Sequence, residues 1–280
     1  SRCMASGEVL QSTALAYDTG HRLRFELGGL RGIMPFADCV DAAPGETVKD
    51  IAVLTRVGRP TCFVIMGTEF DENGEEYYLL SRAEAQRRCR AQYLDTLEAG
   101  SVIPCTVTHI ENFGAFCDIG CGALGLLGTR RICMSRPAHA ADCLRVGQRI
   151  FTAVRTLDPV QRRVTLTMRE LLGTWQENAA RFRAGQTVTG IVRTVTDYGA
   201  FIALTPNLCG LAETDGRLRP GQAVCVFIRA ILPETLRIKL TVLHPLEALP
   251  PQALVYTRTE GHLDLWRYGT PDRAKAVTIF

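Results

Sequence analysis

The fold is decided by Asn112-Phe113-Gly114-Ala115-Phe116 and by Asp197-Tyr198-Gly199-Ala200-Phe201, which follows 85 positions later. The strand-like runs that open at Gly100 and Gly185 keep the same offset, so no gap separates the two landmarks within either copy. An offset that holds over so many positions indicates an internal repeat, and the period sets the size of the repeated unit.

Both copies continue through the same later landmarks, which are a Gly-Leu pair, a Gly-Gln turn and an alternating basic strand. These landmarks are Gly125-Leu126 and Gly210-Leu211, Gly147-Gln148 and Gly221-Gln222, and Arg163-Val164-Thr165-Leu166-Thr167 and Arg237-Ile238-Lys239-Leu240-Thr241. Short strands punctuated by glycine over about seventy residues are typical of a small barrel. Each copy therefore predicts one five-stranded β-barrel.

A third, divergent copy lies at the front of the chain. Ser6-Gly7-Glu8-Val9 matches the opening strand, Leu30-Arg31-Gly32-Ile33-Met34-Pro35 the Gly-Leu segment, and Tyr77-Tyr78-Leu79-Leu80-Ser81 the closing strand. Asn73-Gly74 between apolar runs predicts a tight hairpin turn. The aromatic run is missing, and Gly20-His21-Arg22-Leu23 occupies that region.

Helical stretches separate the copies. One begins at Ser81 and runs to Leu97, and the other runs from Arg169 to Ala184. The second carries an apolar stripe that we expect to pack against a neighbouring barrel rather than to hold a ligand; its residues are Leu171, Leu172, Trp175, Ala179 and Phe182. The prediction is a mainly β protein of three tandem five-stranded barrels joined by short α-helices. Its boundaries are 1–81, 82–98, 99–168, 169–183, 184–243 and a C-terminal extension at 244–280.

The C-terminal extension matches no repeat. Strands are predicted over Ala253-Leu254-Val255-Tyr256 and Leu263-Asp264-Leu265-Trp266-Arg267-Tyr268. Trp266 and Tyr268 could form a stacking site for a base, but we expect an extension packed onto the third barrel.

Composition limits the class of protein. The chain is 46% hydrophobic, which predicts a folded protein, and no apolar run is long enough for a transmembrane helix. The N-terminal residues lack a secretory signal and an initiating Met. The 11 cysteines include no CxxC pair and lie in strand-like runs, which favours a reducing cytoplasm. Formal charge is −4 for residues 1–98, +5 for 99–183 and +2 for 184–280, which indicates either a polyanionic partner for the later part or ordinary surface scatter.

Five features of the third copy together resemble the S1 RNA-binding domain family: the Gly-x-x-Val-x-Gly-x-Val strand from Gly185, Tyr198-Gly199-Ala200-Phe201, Gly210-Leu211, Gly221-Gln222 and Arg237-Ile238-Lys239-Leu240. The likeness covers residues 99–243 well and 6–81 loosely. It implies five-stranded barrels of the oligonucleotide-binding (OB) fold. Arrays of such domains joined by Trp-containing helices are similar to the bacterial ribosomal protein S1 family, so RNA is the implied ligand.

In the middle copy the resemblance implies RNA contacts at the aromatics Phe113 and Phe116, at Asp158 and at Arg163. The position of a family histidine holds Gly128 instead, and Arg130 and Arg131, which follow closely, are candidates for the missing positive contact. Arg162 is a further candidate cation beside the two rings. In the third copy the implied residues are Tyr198, Phe201 and Arg237, with departures at Glu213 and Leu232-Pro233, and Lys239 on the same basic strand is a further candidate contact. We therefore expect the middle copy to bind RNA best and the first copy least.

The residue types themselves also favour RNA binding, independently of the family resemblance. An exposed aromatic ring stacks on any base, at about 1–3 kcal/mol each, and arginine pairs with phosphate. The alternative is that Phe113 and Phe116 belong to the core, since strand alternation puts them on opposite faces. A bulge at Gly114 would bring both rings to one surface.

Other chemistries are weakly indicated. The spacings of Cys117, Cys121, Cys133, His139 and Cys143 do not give a paired zinc knuckle, so we expect no metal and no cofactor. No residue lies at a spacing from Asp158 that is typical of a catalytic pair, and the sequence has no nucleophile or phosphate-loop motif. We expect no enzymatic activity.

Two functions remain open. The first is a cytoplasmic, monomeric protein that binds single-stranded RNA or mRNA in translation and associates with the small ribosomal subunit, without contacting a membrane. Its acidic first copy would be the protein-docking module, as the family arrays imply. The second is a protein-binding adaptor of OB barrels in an RNA-decay or transcription complex.

Overall fold

A computed structural model describes residues 8–42, 45, 47–120, 122–158, 161, 163–213, 216–250 and 252–280. The chain forms two compact units, one of Ser1–Leu97 with Gly120–Ala123 and one of Glu98–Ile119 with Leu124–Phe280. The architecture is mainly β, as predicted. In the described part of the chain, no helix has the length and hydrophobicity needed to cross a bilayer.

The first unit is built on a six-stranded sheet in the order β1-β5-β6-β4-β3-β2. Strands β1 and β2 are consecutive in the chain but lie at opposite edges of the sheet. The two residues between them bond to both edges: the Leu15 N–H donates to the carbonyl of Arg24 on β3, and the Ala14 carbonyl accepts from the N–H of Gly58, just before β5. The sheet is thus a half-barrel with a divided first strand, where a closed five-stranded barrel was predicted. The strands are β1 Leu10–Thr13, β2 Ala16–Tyr17, β3 Arg22–Leu27, β4 Leu30–Pro35, β5 Pro60–Phe70 and β6 Glu76–Ser81.

Buried and exposed side chains alternate along these strands, and the buried ones form one hydrophobic core. In β3, Leu23 and Phe25 are buried while Arg24 and Glu26 are exposed, as a period of two requires. Phe25 and Phe63 meet with ring centroids 5.3 Å apart. The unit also contains helix α1 Asp50–Leu54 and helix α2 Arg82–Gln92.

The second unit contains two closed barrels. Barrel 2 has the order β10-β11-β9-β8-β7, and barrel 3 has the order β12-β13-β14-β16-β15. Barrel 2 consists of β7 Val102–Glu111, β8 Gly114–Gly120, β9 Ala123–Gly128, β10 Arg149–Asp158 and β11 Arg163–Thr167. Barrel 3 consists of β12 Thr187–Thr196, β13 Gly199–Thr205, β14 Leu208–Ala212, β15 Ala223–Leu232 and β16 Arg237–Leu246. The tandem five-stranded barrels predicted from the repeat are confirmed for these two copies.

One packing detail is common to all three copies. In each, a glycine of the third strand faces a leucine of the last strand so closely that an added Cβ would lie 2.5–2.7 Å from the leucine Cδ1. The pairs are Gly32 with Leu80, Gly125 with Leu166 and Gly210 with Leu240. In each copy the same two strands pair in parallel. The first copy is therefore a variant of the same module.

The connecting helices are shorter than predicted. After barrel 2, a 3-10 turn at Arg169–Leu172 and helix α3 Trp175–Ala179 replace one continuous helix over 169–184. Gly173 has φ +86°, and Thr174 caps α3 by accepting from the Glu177 N–H, so the first turn ends before the helix begins. Trp175 and Ala179 are buried in the core of barrel 3, which confirms the predicted packing of the apolar stripe.

The C-terminal extension forms a two-stranded sheet of β17 Leu265–Gly269 and β18 Ala274–Ile279. Trp266 and Tyr268 are buried in the core of barrel 3, as expected for an extension packed on that barrel. The strand predicted over Ala253–Tyr256 is wrong, because that segment has no regular structure. Tyr256 instead packs its ring against Phe151 of barrel 2, with centroids 5.4 Å apart.

Candidate nucleic-acid interface

Barrel 3 carries an aromatic pair at the hairpin between β12 and β13. Tyr198 lies in the two-residue turn that follows Thr196, and its side chain is 68% exposed. Phe201 is half-buried on β13, and the two ring centroids are 6.1 Å apart at an interplanar angle of 88°. The pair therefore presents one free ring, supported edge-on by a second.

Barrel 2 carries the same pair. Phe113 is 59% exposed in the turn between β7 and β8, and Phe116 is half-buried on β8, with centroids 6.0 Å apart at 89°. The reason for their meeting differs from the prediction, because there is no bulge at Gly114. Phe113 belongs to the turn and so escapes strand alternation, while the register shift lies on β7 between Val107 and His109. We call Phe113 with Phe116 and Tyr198 with Phe201 the two ring pairs.

The glycine after each exposed ring is required by close approach. A Cβ on Gly114 would meet the backbone carbonyl of Leu127, and a Cβ on Gly199 would meet that of Ala212. Gly199 also has φ +149°, which other residues rarely adopt. The hairpin can therefore press against the neighbouring strand and hold the ring beside it.

In barrel 3, strand register extends the ring pair into a row. Phe201 lies opposite Leu211, and Leu211 lies opposite Lys239. The next row, from Ala200 through Ala212 to Leu240, is buried, so the first row faces outward. We call this surface, with Tyr198 and Arg237, the barrel-3 face.

Two cations lie on the barrel-3 face. Arg237 and Lys239 are both exposed, and the intervening Ile238 is buried, as alternation along β16 requires. Among the residues that the structure describes, no carboxylate forms a salt bridge with either cation. The face thus combines aromatic, aliphatic and cationic groups within a few strands.

The corresponding barrel-2 face differs in its charges. Leu126 lies opposite Thr165, so a threonine takes the place of Lys239, while Arg163 is exposed at the position of Arg237. Asp158 lies opposite Arg163 across the hairpin and accepts from the Gln161 N–H at 2.9 Å. The Asp158 carboxylate therefore accepts a hydrogen bond from the backbone that follows β10. Arg162 falls outside the described residues.

The two arginines after β9 have different surroundings. Arg130 is exposed in the 3-10 turn Thr129–Arg131, whereas Arg131 is half-buried. Burial, together with the neighbouring charge of Arg169, lowers the pKa of Arg131, which still stays charged at neutral pH. Arg130 is thus the more accessible cation of the two.

The first unit has other residue types at the positions that hold the ring pair in barrel 3. Arg24 lies opposite Ile33, where barrel 3 has Phe201 opposite Leu211, and His21 stands at the turn. Arg24 Nε lies 3.0 Å from Asp18, and Arg31 Nη2 lies 2.7 Å from Asp71 and 2.8 Å from Glu75. The hydrogen bond from Arg31 lowers the pKa of Asp71. At this surface His21 meets Tyr17 edge-on, with ring centroids 5.9 Å apart, and not a ring at the position of Phe201, while Arg24 and Arg31 are paired with carboxylates.

Comparison with known proteins gives a consistent result. No protein-family model matches the chain. It is 30% identical over 191 residues to small ribosomal subunit protein bS1 of Rhizobium meliloti, covering 64% of this chain and 33% of the relative. It is 28% identical over 252 residues to bS1 of Streptococcus pneumoniae, covering 82% of this chain and 59% of the relative. The chain is similar to bacterial bS1. The resemblance predicted from the repeats is confirmed.

The chain spans about a third to three-fifths of the length of these relatives. Two solved structures also match. A multidomain protein with nucleic acid binding domains from Streptococcus pneumoniae is 13% identical, with 85% of this chain and 74% of that chain covered and a TM-score of 0.28. The a/eIF2alpha-aDim2p-rRNA complex from Pyrococcus horikoshii contains a chain 26% identical, with 30% and 50% covered and a TM-score of 0.26.

Sequence reasoning missed one neighbour of the ring pair in barrel 2. His109 lies opposite Phe116, is exposed, and places Nε2 2.8 Å from Glu111. Thr194 holds the equivalent place opposite Phe201 in barrel 3. The signal that could have found His109 is the hairpin register, which follows once Asn112-Phe113 is taken as a two-residue turn.

The cysteines weighed as zinc ligands do not converge. Cys117 is buried inside barrel 2, Cys133 and Cys143 lie in the loop between β9 and β10, and Cys121 falls outside the described residues. Among the described residues, no group of three or more metal-ligating side chains is present.

Proposed function

We propose that this chain binds single-stranded RNA in translation, as a non-catalytic protein that holds mRNA near the small ribosomal subunit. The barrel-2 and barrel-3 faces are the proposed contact surfaces. The first unit would take no direct part in binding RNA.

The observation that carries the proposal is the repetition of one geometry. Both barrels hold an exposed ring in a tight turn, braced edge-on by a half-buried phenylalanine, with centroids 6.0 and 6.1 Å apart. A core contact has no need to leave Tyr198 or Phe113 more than half exposed. A base offers a flat face of any sequence, and such a ring can stack on it.

The charges beside the rings support the same ligand. Arg237 and Lys239 in barrel 3, and Arg163 and Arg130 in barrel 2, are exposed. A nucleic-acid backbone carries one phosphate per nucleotide, so cations beside a stacking ring would neutralise the phosphates that flank the stacked base. An adaptor surface for proteins would not require cations next to each ring pair.

Single-stranded RNA suits these faces better than a duplex. Bases must be unstacked to lie on a ring, and loops or single strands supply them without the cost of opening a helix. Two faces in one compact unit would also bind one strand with added effective concentration. The similarity to small ribosomal subunit protein bS1 supports a bacterial cytoplasmic site of action in translation.

The test is removal of the ring pairs from the full chain. Phe113→Ala with Phe116→Ala, and Tyr198→Ala with Phe201→Ala, should each weaken binding of a fluorescent single-stranded RNA. Loss of about 1–3 kcal/mol for one stacked base corresponds to a Kd roughly 5- to 150-fold higher. Fluorescence anisotropy measures the Kd, and co-sedimentation with purified small ribosomal subunits gives a second readout.

Phe227→Ala is the matched control. Phe227 is a partly exposed phenylalanine of β15, a strand that does not neighbour β13, so its loss should leave RNA affinity unchanged. Circular dichroism establishes that each variant is folded. Unchanged RNA affinity in both folded ring-pair variants would overturn the proposal and favour the protein-binding adaptor.

A further inference from the structure

Two polar side chains lie next to the ring pair of barrel 2. His109 and Glu111 are alternate residues of β7, so they point to the same side of that strand. His109 lies directly opposite Phe116, and Glu111 lies directly opposite Gly114. Side chains of directly opposite residues share one face of an antiparallel pair. His109 and Glu111 therefore belong to the barrel-2 face, beside the two rings.

The two side chains form an exposed hydrogen-bonded pair. The His109 side chain is 64% exposed and that of Glu111 is 45% exposed, and His109 Nε2 donates to Glu111 Oε1 at 2.8 Å. An ionised carboxylate only accepts, so Nε2 carries the proton. In the ranges that the structure describes, no other side chain bonds to the Glu111 carboxylate. One carboxylate oxygen is thus held by the imidazole, and the other is free to accept.

Barrel 3 has two threonines at the corresponding positions. Thr194 lies opposite Phe201, and Thr196 lies opposite Gly199. The Thr196 hydroxyl donates to the Gly199 carbonyl at 2.8 Å, so it is already engaged within its own hairpin. Neither threonine carries a charge or two adjacent acceptor oxygens. The two barrels therefore share the ring pair but differ in the hydrogen-bonding groups beside it.

A carboxylate beside a stacked base distinguishes between bases. Its two oxygens accept two parallel N–H bonds, and single-stranded bases are read on their Watson–Crick edges. Guanine presents two adjacent donors on that edge, N1–H and the N2 amino group. Adenine and cytosine each place one amino group next to an acceptor nitrogen, and uracil places its one N–H between two carbonyl oxygens. Guanine is therefore the base that complements a carboxylate.

We propose that Glu111 makes barrel 2 selective for guanine, with His109 as the positioning residue that holds the carboxylate. The selectivity rests on the proposed function, because the base must first stack on Phe113. The guanine N1–H and N2–H then donate to Glu111 while the face of the base lies on the ring. A carboxylate repels phosphate, so Glu111 adds selectivity and not affinity for every strand. Barrel 3 binds without this selectivity.

The experiment compares RNA strands that differ in one base. A short uridine strand carries uridine, adenosine, inosine or guanosine at its centre, and fluorescence anisotropy gives the Kd of each strand for the full chain. Adenosine controls for the stronger stacking of a purine, and inosine is guanosine without the N2 amino group. We expect the guanosine strand to bind at least about fivefold more tightly than the adenosine strand. The inosine strand should lose most of that difference.

Variants assign the preference to the two side chains. Glu111→Gln replaces one acceptor oxygen with a donor, so the guanosine and adenosine strands should bind equally well. Glu260→Gln is the matched control, because Glu260 is exposed in the extension and belongs to neither face, and it should keep the preference. His109→Leu should reduce the preference at least about twofold, whereas His109→Gln, whose amide retains a donor, should restore it. Circular dichroism establishes that each variant is folded.

Different results overturn the guanine selectivity and the proposed function. Equal affinity of the unsubstituted chain for all four strands would overturn the selectivity and leave RNA binding in place. A guanosine preference that persists in Glu111→Gln, or that Glu260→Gln also abolishes, would overturn the assignment to Glu111. Absence of binding to every strand would overturn the proposed function, and the selectivity with it.

Discussion

Tyr198 and Phe113 are exposed because each occupies a turn, and not because of their chemistry. A ring on a strand would point into the barrel or away from it by alternation, but a two-residue turn frees the side chain from that rule. Their partners, Phe201 and Phe116, do lie on strands and point outward beside the turn. The exposed rings are thus held in place by local backbone geometry.

Gly114 gives a prediction at this scale. In Gly114→Ala the new methyl group would overlap the Leu127 carbonyl, so the hairpin must move away from β9. Overpacking of this kind costs about 1–3 kcal/mol, and we expect that loss in the free energy of unfolding measured by urea denaturation.

Gly128→Ala is the control for that change. Gly128 lies nearby, and the nearest atom to an added Cβ is the Phe113 carbonyl at 4.0 Å, so the substitution should be close to neutral. Equal destabilisation by both substitutions would show that the close approach at Gly114 has no special role.

Pairing between strands determines which residues share a face. Phe201, Leu211 and Lys239 are far apart in sequence, but the antiparallel β13–β14 pair and the parallel β14–β16 pair place them side by side. Arg237 follows on the same face two residues earlier on β16. Rings and cations therefore come from different strands of barrel 3, and the register of those strands sets their spacing.

The cations of β16 give the second prediction. Arg237→Gln with Lys239→Gln should leave the ring pair intact but reduce the number of phosphates neutralised by barrel 3. Each lost contact should make the slope of log affinity against log salt shallower by roughly 0.7. Anisotropy titrations with single-stranded RNA at several salt concentrations measure that slope.

Arg267→Gln provides the comparison. Arg267 is an exposed cation on β17 of the extension and is not one of the residues that define the barrel-3 face. Its loss should leave the salt slope unchanged. An identical shift in both variants would mean that net charge, and not the barrel-3 face, governs the salt dependence.

A buried asparagine, Asn207, forms hydrogen bonds to several segments of the second unit. The Asn207 amide donates to the carbonyls of Arg169 and Gly173 at 2.7 and 2.8 Å, and it accepts from the Met134 N–H at 2.9 Å. Asn207 is fully buried, and its own carbonyl accepts from the Tyr268 hydroxyl. One residue of barrel 3 thus bonds to the loop of barrel 2, the linker and the extension.

We expect Asn207→Ala to weaken the attachment of barrel 3 to the loop of barrel 2, the linker and the extension. It removes the partner of the buried Gly173 carbonyl and of the part-buried Arg169 carbonyl and Met134 N–H, at a cost of about 2–4 kcal/mol. We expect the melting temperature of the second unit to fall by roughly 5–15 °C, and calorimetry to resolve barrels 2 and 3 as separate transitions.

Asn112→Ala serves as the reference for Asn207→Ala. Asn112 is exposed in the turn before Phe113, so removing its side chain should change the melting temperature very little. A single unshifted transition in Asn207→Ala would contradict the coupling of barrels 2 and 3 through this residue.

Much of the architecture could be predicted because it is repeated. The 85-residue offset gave the barrels of the second unit, and the glycines at 32, 125 and 210 confirm that the first copy is a module of the same kind. Local details were less predictable. A helix over 169–184 follows from helix propensity, but Gly173 with its positive φ and the cap at Thr174 divide it.

The sequence by itself determined the number of modules and the strand pattern of barrels 2 and 3, because these depend on periodicity and turn residues that are local in the chain. It left open whether the four aromatic rings lie in the core or at the surface, and the two-residue turns before Gly114 and Gly199 decided that. Only the tertiary structure decided that Lys239 lies in the row of Phe201, that His109 faces Phe116, and that Arg193 reaches Cys143. Those contacts join residues of different strands, or a strand and a distant loop, and they depend on pairing register and barrel packing, which no local pattern encodes.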